Sequence, residues 1–441
     1  MASANIAIIN EIKKFSEEIA ENPQKREEYV FSSKDFCRKR LLCFKTIILL
    51  ITNTLKRSLS IEINDFFEYF SKGTTCSKQA FSKRRRKLKP EFFYYWNEKL
   101  TESFYLEYGE KSARWKGFTL LAVDGSTMSL PPTEEVKEMY GCTTNQRGEG
   151  ASIARVCVLY DVLNNVAIKG LLHSYSTSEI SVVSDILKDR DLKDKLILFD
   201  RGYFSYKLTY QLLGKNTHFV MRVSCNANNA VKEFLASDEI DQTLNIYPNH
   251  ESWKIMQKEG LNITKETPVR IRMVKVLLDT GEIEVLITNL YDLDVYTIED
   301  LKVVYYLRWA IETYYGYIKE ELQLEQFSGI NLICIEQDFA ANLFLFNLQS
   351  IIEKQCEPIV ETISMKRKYK YKVNKNISWA SLKYRVVKLF IENEPTDILM
   401  ELEQLFCRYL EPIRPGRKYP RIKKRKPNSK YHTLTNYKRA I

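Results

Sequence analysis

Three acidic residues stand where carboxylates could hold metal ions. Asp124 ends the apolar run in LLAVDGS and Asp200 ends the one in LILFDRGY, and both runs predict strands. Glu312 lies inside a long helical pattern. Two divalent cations roughly 3.5–4 Å apart must share oxygen ligands, and strand ends and a helix can deliver carboxylates to such a pair. The pattern predicts two-metal phosphoryl transfer, which points to nucleic-acid chemistry.

The surroundings of Glu312 extend this pattern. The spacing Y-x2-R-x3-E-x6-K is formed by Tyr305, Arg308, Glu312 and Lys319. Offsets of 3, 7 and 14 residues from the tyrosine, at about 100° per residue, place the four side chains within roughly a 60° arc of one helix. Apolar residues around them would hold this helix against a sheet. The plainer interpretation is a solvated charge stripe on an amphipathic helix.

The chain resembles bacterial insertion-sequence transposases of the DDE class, in the group with this Tyr-Arg-Glu-Lys signature. The resemblance is carried by Asp124 in its strand, Asp200 in DRGY, the four signature residues, and QFSG at residues 326–329. It spans residues 115–350, and the flanks agree only in architecture. The resemblance implies a ribonuclease-H-like catalytic core in which Asp124, Asp200 and Glu312 are the catalytic and metal-binding residues.

The chemistry expected of such a site follows from its ligands. Two Mg²⁺ ions would activate water for attack on a phosphodiester and stabilise the leaving 3′ oxygen, and the 3′-OH would then attack target DNA. Tyr305, Arg308 and Lys319 would bind phosphate oxygens near the scissile bond. We expect Mn²⁺ to substitute for Mg²⁺, and Ca²⁺ to bind without turnover.

Two further residues are candidates for DNA contacts. Arg222, near the end of HFVMRVS, lies in a context like that of the family's DNA-contacting arginine, and a plain surface arginine is the equal alternative. Trp309 stands where the family stacks an aromatic ring on a base extruded during hairpin formation. A tryptophan on a buried helix could equally be core packing.

The order of elements agrees with a ribonuclease-H-like α/β fold, a mixed sheet with flanking helices. Strands, a hairpin and helices are predicted at Phe118–Asp124, Ser152–Val162, Ala167–His173, Glu179–Leu187, Leu196–Asp200, Tyr206–Leu213 and His218–Val223. Between Asp200 and Glu312 the offset is 112 residues, more than one helix and one strand require. A mostly β insertion over residues 224–296 is therefore predicted before the catalytic helix. The resemblance implies that it grips the transposon end.

Four segments are predicted along the chain. They are a helical N-terminal DNA-binding domain at residues 1–110, the catalytic core with its insertion at 111–355, a C-terminal helical region at 356–412, and a basic tail at 413–441. In the first, TTCSKQAFSKRRRKLKPEFF fits the second helix of a helix-turn-helix. Its basic residues Lys83, Arg84, Arg85 and Arg86 would mostly contact phosphate. A solvated basic helix is the equal alternative.

Composition limits the class of protein. Net charge is 67 − 56 = +11, and residues 414–441 contribute eleven Lys/Arg and no acid, so basicity is concentrated where a polyanion would be held. Lys366–Lys372 predicts a basic loop, either solvated or in contact with DNA. Nine cysteines without a CxxC pair predict reduced core thiols. Because no apolar stretch approaches the about 20 residues of a membrane span, we expect a cytoplasmic, nucleoid-associated protein without a membrane partner.

These features predict a DNA transposase that moves an insertion sequence by a cut-and-paste route. It would bind terminal inverted repeats of double-stranded DNA, cut with metal-activated water, and join the 3′ ends to target DNA. The resemblance implies a homodimer in the synaptic complex. The alternatives are a domesticated nuclease that has lost mobility and a catalytically silent DNA-binding protein from a decayed element. The intact triad and signature favour the transposase.

Overall fold

The computed structural model describes residues 2–53, 57–145, 148–188, 190–278, 280–383 and 385–414 of the 441-residue chain. The predicted mixed α/β class is confirmed. The chain forms two compact units, the first from residues 1–112, 128–154 and 317–441 and the second from residues 113–127 and 155–316. The predicted basic tail lies outside the described residues beyond Arg414.

Helices account for most of the elements. In chain order they are α1 (Ala2–Glu21), α2 (Pro23–Glu27), α3 (Phe44–Thr52), α4 (Leu59–Phe70), α5 (Lys78–Arg85), α6 (Glu91–Tyr108), α7 (Glu134–Tyr140), α8 (Glu179–Leu187), α9 (Tyr206–Gly214), α10 (Asn229–Ala236), α11 (His250–Lys258), α12 (Ile298–Tyr306), α13 (Trp309–Gly316), α14 (Leu332–Lys354), α15 (Glu357–Met365), α16 (Lys375–Lys383), α17 (Val386–Ile391) and α18 (Thr396–Arg408). No helix in the described ranges is both long enough and apolar enough to cross a membrane.

The strands follow the predicted order through the core. They are β1 (Thr119–Ser129), β2 (Cys142–Asn145), β3 (Gly148–Asp161), β4 (Val166–Ser174), β5 (Lys195–Phe199), β6 (His218–Val223), β7 (Asp241–Ile246), β8 (Val269–Leu277), β9 (Ile283–Thr288), β10 (Lys370–Val373) and β11 (Leu410–Ile413). The hairpin of β3 and β4, the helices α8 and α9, and strands β5 and β6 all lie where the periodicity predicts them.

The first unit has a helical core. The helix α14, 23 residues long, packs on α6, and α6 also packs on α1. Trp96 stacks on Phe344 with ring centres 4.0 Å apart, and its indole N–H donates to the Ile12 carbonyl at 2.9 Å. Such a buried tryptophan contributes packing and also satisfies its one polar group.

The second unit is built on a mixed sheet. Its strands run in the order β3-β1-β5-β6-β9-β8-β7, and β4 pairs with β3. β1, β5 and β6 are mutually parallel, whereas β6, β9, β8 and β7 pair antiparallel in succession. Apolar side chains of β1, β5 and β6 form one buried cluster with those of α8 and α9. Burial of these strands explains why each reads as a continuous apolar run.

The parallel register brings three polar residues side by side. The last paired residues of β1 and β5 are Val123 and Phe199, so Asp124 and Asp200 follow them as neighbours. Arg222 takes the corresponding place on β6. Neighbouring strands lie about 4.8 Å apart, so the three side chains start within reach of one another.

The predicted β insertion also contains helices. Besides the predicted hairpin of β8 and β9, residues 224–296 contain β7 and the two helices α10 and α11. Each helix begins at an asparagine cap, because the side chain of Asn228 accepts from the Val231 N–H and that of Asn249 from the Ser252 N–H. These caps stabilise short helices that apolar alternation does not reveal. β9 pairs with β6, so the insertion continues the core sheet.

The predicted catalytic helix is not continuous. α12 ends at Tyr306, a turn at 307–308 follows, α13 runs from Trp309 to Gly316, and a π-helical turn occupies Tyr317–Glu321. The prediction that four signature residues share one regular helix face is therefore wrong. Aromatic and β-branched residues are frequent in this run and lose rotamer freedom in a helix, so tertiary contacts decide the local backbone.

Two smaller expectations also change. The basic loop predicted at Lys366–Lys372 is partly strand, because β10 pairs antiparallel with β11. The nine cysteines are free, but Cys37 and Cys225 are exposed and do not belong to the core.

Candidate active site

The second unit brings the three predicted carboxylates together. Asp124 lies in β1, Asp200 directly follows β5, and Glu312 lies in the first turn of α13. Burial is the largest cause that raises the pKa of Asp124, and the charges on Glu312 and Asp200 raise it further, so both of these acids act electrostatically on Asp124. This is the grouping that the sequence predicts.

Asp124 is held in place by hydrogen bonds to its carboxylate and to its backbone carbonyl. Its Oδ1 accepts a hydrogen bond from the Gly125 N–H at 2.9 Å, and its carbonyl accepts the hydroxyl of Tyr315 at 2.8 Å. Tyr315 is buried and lies three residues after Glu312 on α13. The contact therefore ties the helix that carries Glu312 to the strand that carries Asp124.

Arg308 is the cation nearest the helix carboxylate. It is 4% exposed, and its Nη2 donates to Glu312 Oε1 at 2.9 Å. Burial acts to lower the pKa of Arg308, but Tyr305 and the neighbouring carboxylates outweigh it, so the pKa is raised. The Nε of this guanidinium is buried and has no hydrogen-bond partner among the described residues.

Arg222 bridges two acids on the sheet. Its Nη2 donates to Asp200 Oδ1 at 2.9 Å, and its Nη1 pairs with Glu284 of β9. Because Arg222 pairs with Leu286 in the ladder, Glu284 is its diagonal neighbour on the same face. The Tyr305 hydroxyl lies 3.5 Å from Asp200 Oδ1, at the outer limit of a hydrogen bond.

The two strand carboxylates differ in their electrostatics. Burial is the largest effect on each and acts to raise the pKa. At Asp200 the Arg201 N–H, Arg308 and Arg222 outweigh burial, so its pKa is lowered. At Asp124 burial prevails and the pKa rises to about 6. Asp200 is therefore ionised at neutral pH. Ionisation of Asp124 costs more free energy than ionisation of Asp200.

The carboxylate set fits a divalent cation by its chemistry. Carboxylate oxygens are the ligands that Mg²⁺ prefers, and mutual repulsion among these three acids favours a cation between them. Here Arg308 and Arg222 balance the charge. In the chain as described, no three His, Cys, Asp or Glu side chains are grouped closely enough to hold an ion. Shared coordination would therefore require the three carboxylates to move closer together.

The remaining signature residues have different surroundings. Tyr305 is 8% exposed and Arg308 is buried, which excludes a solvated stripe for these two. Trp309 is 54% exposed, so it is not core packing, and Arg308 lies 5.6 Å from its ring centre. Lys319 is half-buried in the π-helical turn and belongs to the first unit, where burial lowers its pKa.

Several residues of the site escape sequence analysis. Glu284 occupies the polar position of an alternating strand and carries no motif. Glu179 begins α8, pairs with Arg155, and packs against Gly125, where a Cβ would come within 3.1 Å of its carboxyl carbon. The glycine after Asp124 in VDGS is the one sequence signal for this close approach.

The basic helix of the first unit begins as predicted. The Ser77 side chain accepts from the Ala80 N–H at 3.2 Å and caps α5. Lys83 and Arg86 are exposed, and Arg84 is half-buried. These three remain candidates for phosphate contacts.

Arg85 is a correction to the predicted basic surface. It is 1% exposed and donates to Gln337 at 2.8 Å, Ser328 at 2.5 Å and Asp338 at 2.9 Å. These acceptors replace water around the guanidinium, so it is not free for a phosphate. The prediction that Arg85 contacts DNA is wrong, because Arg85 lies four residues after the buried Phe81 and therefore points inward on the same face of α5.

Replacing Arg85 by Ala is expected to destabilise the protein by about 3–5 kcal/mol, since removal of one partner of a buried ion pair leaves Asp338 uncompensated. Urea unfolding measures the change. The matched control is Arg86→Ala, which removes an exposed arginine next to it and should stay within about 0.5 kcal/mol of wild type. Equal effects of the two variants would contradict the assignment.

Replacing Asp124 by Asn is expected to stabilise the protein at about pH 8 in EDTA, on the order of 1–3 kcal/mol. The folded-state pKa is raised from 3.8 to about 6, so ionising this carboxyl costs stability as pH rises through that window. Near pH 4 the gain should vanish, because the folded wild type is then protonated. Urea unfolding across this range tests the sign, and a pH-independent gain would contradict it.

The sequence profile of the transposase DDE domain matches residues 115–348, a range that contains all three carboxylates. Among solved structures, the piggyBac transposase in a synaptic complex with hairpin DNA is similar with a TM-score of 0.42 and 12% identity, covering 95% of this chain and 86% of that chain. No protein of curated function matches the sequence.

Proposed function

Because this chain belongs to the transposase family that carries the DDE domain and is a DNA transposase, we propose that it moves an insertion sequence by cut-and-paste transposition. It would bind terminal inverted repeats, hydrolyse phosphodiester bonds at their ends and transfer the 3′ ends to target DNA. The observation that carries the proposal is the placement of Asp124 and Asp200 on neighbouring parallel strands, with Glu312 acting on the same group of charges. The signature spacing around Glu312 supports membership of the bacterial Tyr-Arg-Glu-Lys group.

We infer that the core is ribonuclease-H-like. The strand order β4-β3-β1-β5-β6, with β1, β5 and β6 parallel, supports this assignment. The helices α8 and α9 follow β4 and β5 in the chain, as that fold requires. The three added strands extend the same sheet beyond β6.

Enzymes of this family use divalent metal ions. We propose that Asp124, Asp200 and Glu312 hold two Mg²⁺ ions, with Mn²⁺ able to replace them. Bound there, the ions supply Lewis-acid activation of water and of the leaving 3′ oxygen. The low pKa of Asp200 keeps one ligand ionised, and a nearby cation would favour ionisation of Asp124 as well.

The arginines of the site would exchange partners when DNA binds. Arg308 and Arg222 are now paired with Glu312 and Asp200, and each has a buried Nε without a partner among the described residues. Phosphate oxygens match a guanidinium in charge and in planar geometry. A scissile phosphate would draw both arginines away from the acids and leave the carboxylates to the metal ions.

Tyr305 would act as a neutral donor in this exchange. Burial, the largest effect, raises the pKa of its phenol, so the hydroxyl keeps its proton at neutral pH. Its present partner is Asp200, at 3.5 Å. A phosphate oxygen that came closer to the hydroxyl than Asp200 Oδ1 would receive a stronger hydrogen bond.

Other contacts to DNA complete the proposal. Exposed Trp309 would stack on an unpaired base during hairpin formation, and Lys319 would contact phosphate. Helix α5, through Lys83, Arg84 and Arg86, would contact the phosphates of a terminal repeat. We propose a homodimer in the synaptic complex, in the cytoplasm at the nucleoid.

The test is cleavage of a labelled duplex that carries the element's own ends, with Mg²⁺, Mn²⁺ or EDTA. The proposal expects metal-dependent release of the ends, followed by their joining to a second duplex. Cleavage without joining would favour a domesticated nuclease. Binding of the ends without any cleavage by the wild-type protein would favour a silent DNA-binding protein.

A further inference from the structure

A strongly basic surface of the first unit has no part in the site above. We call residues 366–372, with the sequence KRKYKYK, the basic ribbon. It contains five cations, two tyrosines and no acid. Its second half is β10, which pairs antiparallel with β11 in a two-stranded sheet, with Lys372 opposite Glu411.

The backbone of the basic ribbon is fixed by its neighbours. The Lys366 and Arg367 N–H groups donate to the carbonyls of Ile363 and Ser364 at 3.3 and 3.1 Å. The Tyr371 N–H donates to the Ser364 Oγ at 2.9 Å, which ties β10 to the end of α15. The cations therefore project from an ordered scaffold, and little backbone entropy is lost when they bind a ligand.

The positive charge of the basic ribbon is not neutralised. Lys366, Arg367, Lys368 and Lys370 are exposed, and none of them forms an ion pair with any other described residue. Lys372 is paired with Glu411 at 3.0 Å. Four like charges on one short ribbon repel one another, so a surface of this kind favours a bound polyanion.

The tyrosines pack beneath the cations. The Arg367 guanidinium carbon lies 4.6 Å from the Tyr371 ring centre, and the Lys368 Nζ lies 5.5 Å from that of Tyr369. These cation–π contacts restrain the two long side chains, and both residues remain exposed to solvent. The arrangement suits repeated contacts to phosphates.

We propose that the basic ribbon is a second DNA-binding surface that contacts the phosphate backbone of duplex DNA without reading its sequence. Its four exposed, unpaired cations supply charge for phosphate oxygens, and such contacts carry no sequence information. Such a surface suits target DNA, where many sequences must be accepted, and this role rests on the proposed function. An anionic membrane surface is the competing partner, since Met365 beside the ribbon is 86% exposed.

The test removes the four unpaired charges with Lys366→Gln, Arg367→Gln, Lys368→Gln and Lys370→Gln in the full chain. Binding to a fluorescent duplex that lacks the element's ends is measured by anisotropy in EDTA, between about 50 and 200 mM salt. The slope of log K against log salt is negative, and each lost phosphate contact reduces its steepness by about 0.9. Loss of two to four contacts should therefore reduce the steepness by about 1.8–3.6 and weaken the affinity at least roughly tenfold.

The matched control removes four exposed lysines that lie outside the N-terminal domain, the insertion and the basic ribbon, with Lys111→Gln, Lys188→Gln, Lys193→Gln and Lys388→Gln. It lowers the net charge by the same amount and should keep a slope close to that of wild type. Thermal unfolding of both variants checks that the fold is kept.

Three results would overturn the proposal. The first is a wild-type slope in the ribbon variant, and the second is an equal fall in the control. The third is unchanged DNA binding together with lost binding to phosphatidylserine vesicles, which would assign the ribbon to a membrane surface. The duplex lacks the element's terminal sequences, and EDTA prevents cleavage. Failure of this test is therefore separate from failure of the proposed function. That function is judged by end release with wild-type protein.

Discussion

Cleavage of the element's ends is expected to fall by about 10³-fold or more when Asp200 is replaced by Asn or Glu312 by Gln, because loss of an ion's ligand removes several kcal/mol of transition-state stabilisation. Both replacements keep the shape of the side chain. An Asn at position 200 can still accept from Arg222, so the sheet around it should remain intact. DNA affinity should stay equal or become tighter, since one negative charge near the phosphates is lost.

Single-turnover cleavage and anisotropy on the same duplex measure these two quantities. Asp191→Asn is the matched control, because Asp191 is exposed in the same unit and lies outside both the site and the insertion at residues 224–296. A further variant, Asp200→Cys, should recover more activity with Mn²⁺ than with Mg²⁺, since a thiolate is a poor ligand for the harder ion. Full cleavage by Asp200→Asn would remove this residue from the metal site.

Replacing Arg308 by Ala is expected to lower the rate of cleavage by about 10²–10³-fold, the effect of removing one preorganised donor to a developing charge. A lysine at this position should recover only part of the rate, because it supplies the charge without the planar fork. The same Arg308→Ala change should tighten Mn²⁺ binding to the protein without DNA, since Glu312 loses its present partner.

The Arg308→Ala change is therefore expected to lower the cleavage rate and to raise the Mn²⁺ affinity. A merely structural role would not produce these opposite effects. Mn²⁺ binding is followed by electron paramagnetic resonance, and the fold is checked by urea unfolding. Arg114→Ala is the control, because Arg114 is an exposed arginine of the same unit that lies outside residues 224–296, with its Nη1 3.4 Å from the Gly117 carbonyl oxygen. A variant that lacks Arg308 and cleaves at the wild-type rate would exclude this arginine from the site.

Sequence analysis predicts most of the elements that carry the strand carboxylates. Apolar runs that end in a charged residue are a strong signal, since a buried parallel strand must stop where its chain meets solvent. For that reason β5, β6 and α8 agree with their predicted ranges to within a residue at either end. The grouping of Asp124 with Asp200 then follows from the register.

Other features depend on contacts that sequence periodicity does not express. The helical period predicts one continuous catalytic helix. In the structure this helix is broken by a turn at residues 307–308, where Tyr305 and Arg308 are buried beside the acids. Arg85 lies in a run of cations, and only its distant partner Asp338 explains why it is buried. The short helices α10 and α11 depend on asparagine caps rather than on a long apolar face.

The pairing of β9 with β6 limits how this protein can be shortened. Four residue pairs join these strands, from Val220 with Thr288 to Val223 with Val285. A truncated protein without residues 224–296 would leave β6 as a free sheet edge, with a row of unpaired N–H and C=O groups and apolar side chains beside them. Such an edge pairs readily with another copy of itself. A minimal version of this enzyme would therefore need a replacement edge strand, or charged residues on β6, to avoid aggregation.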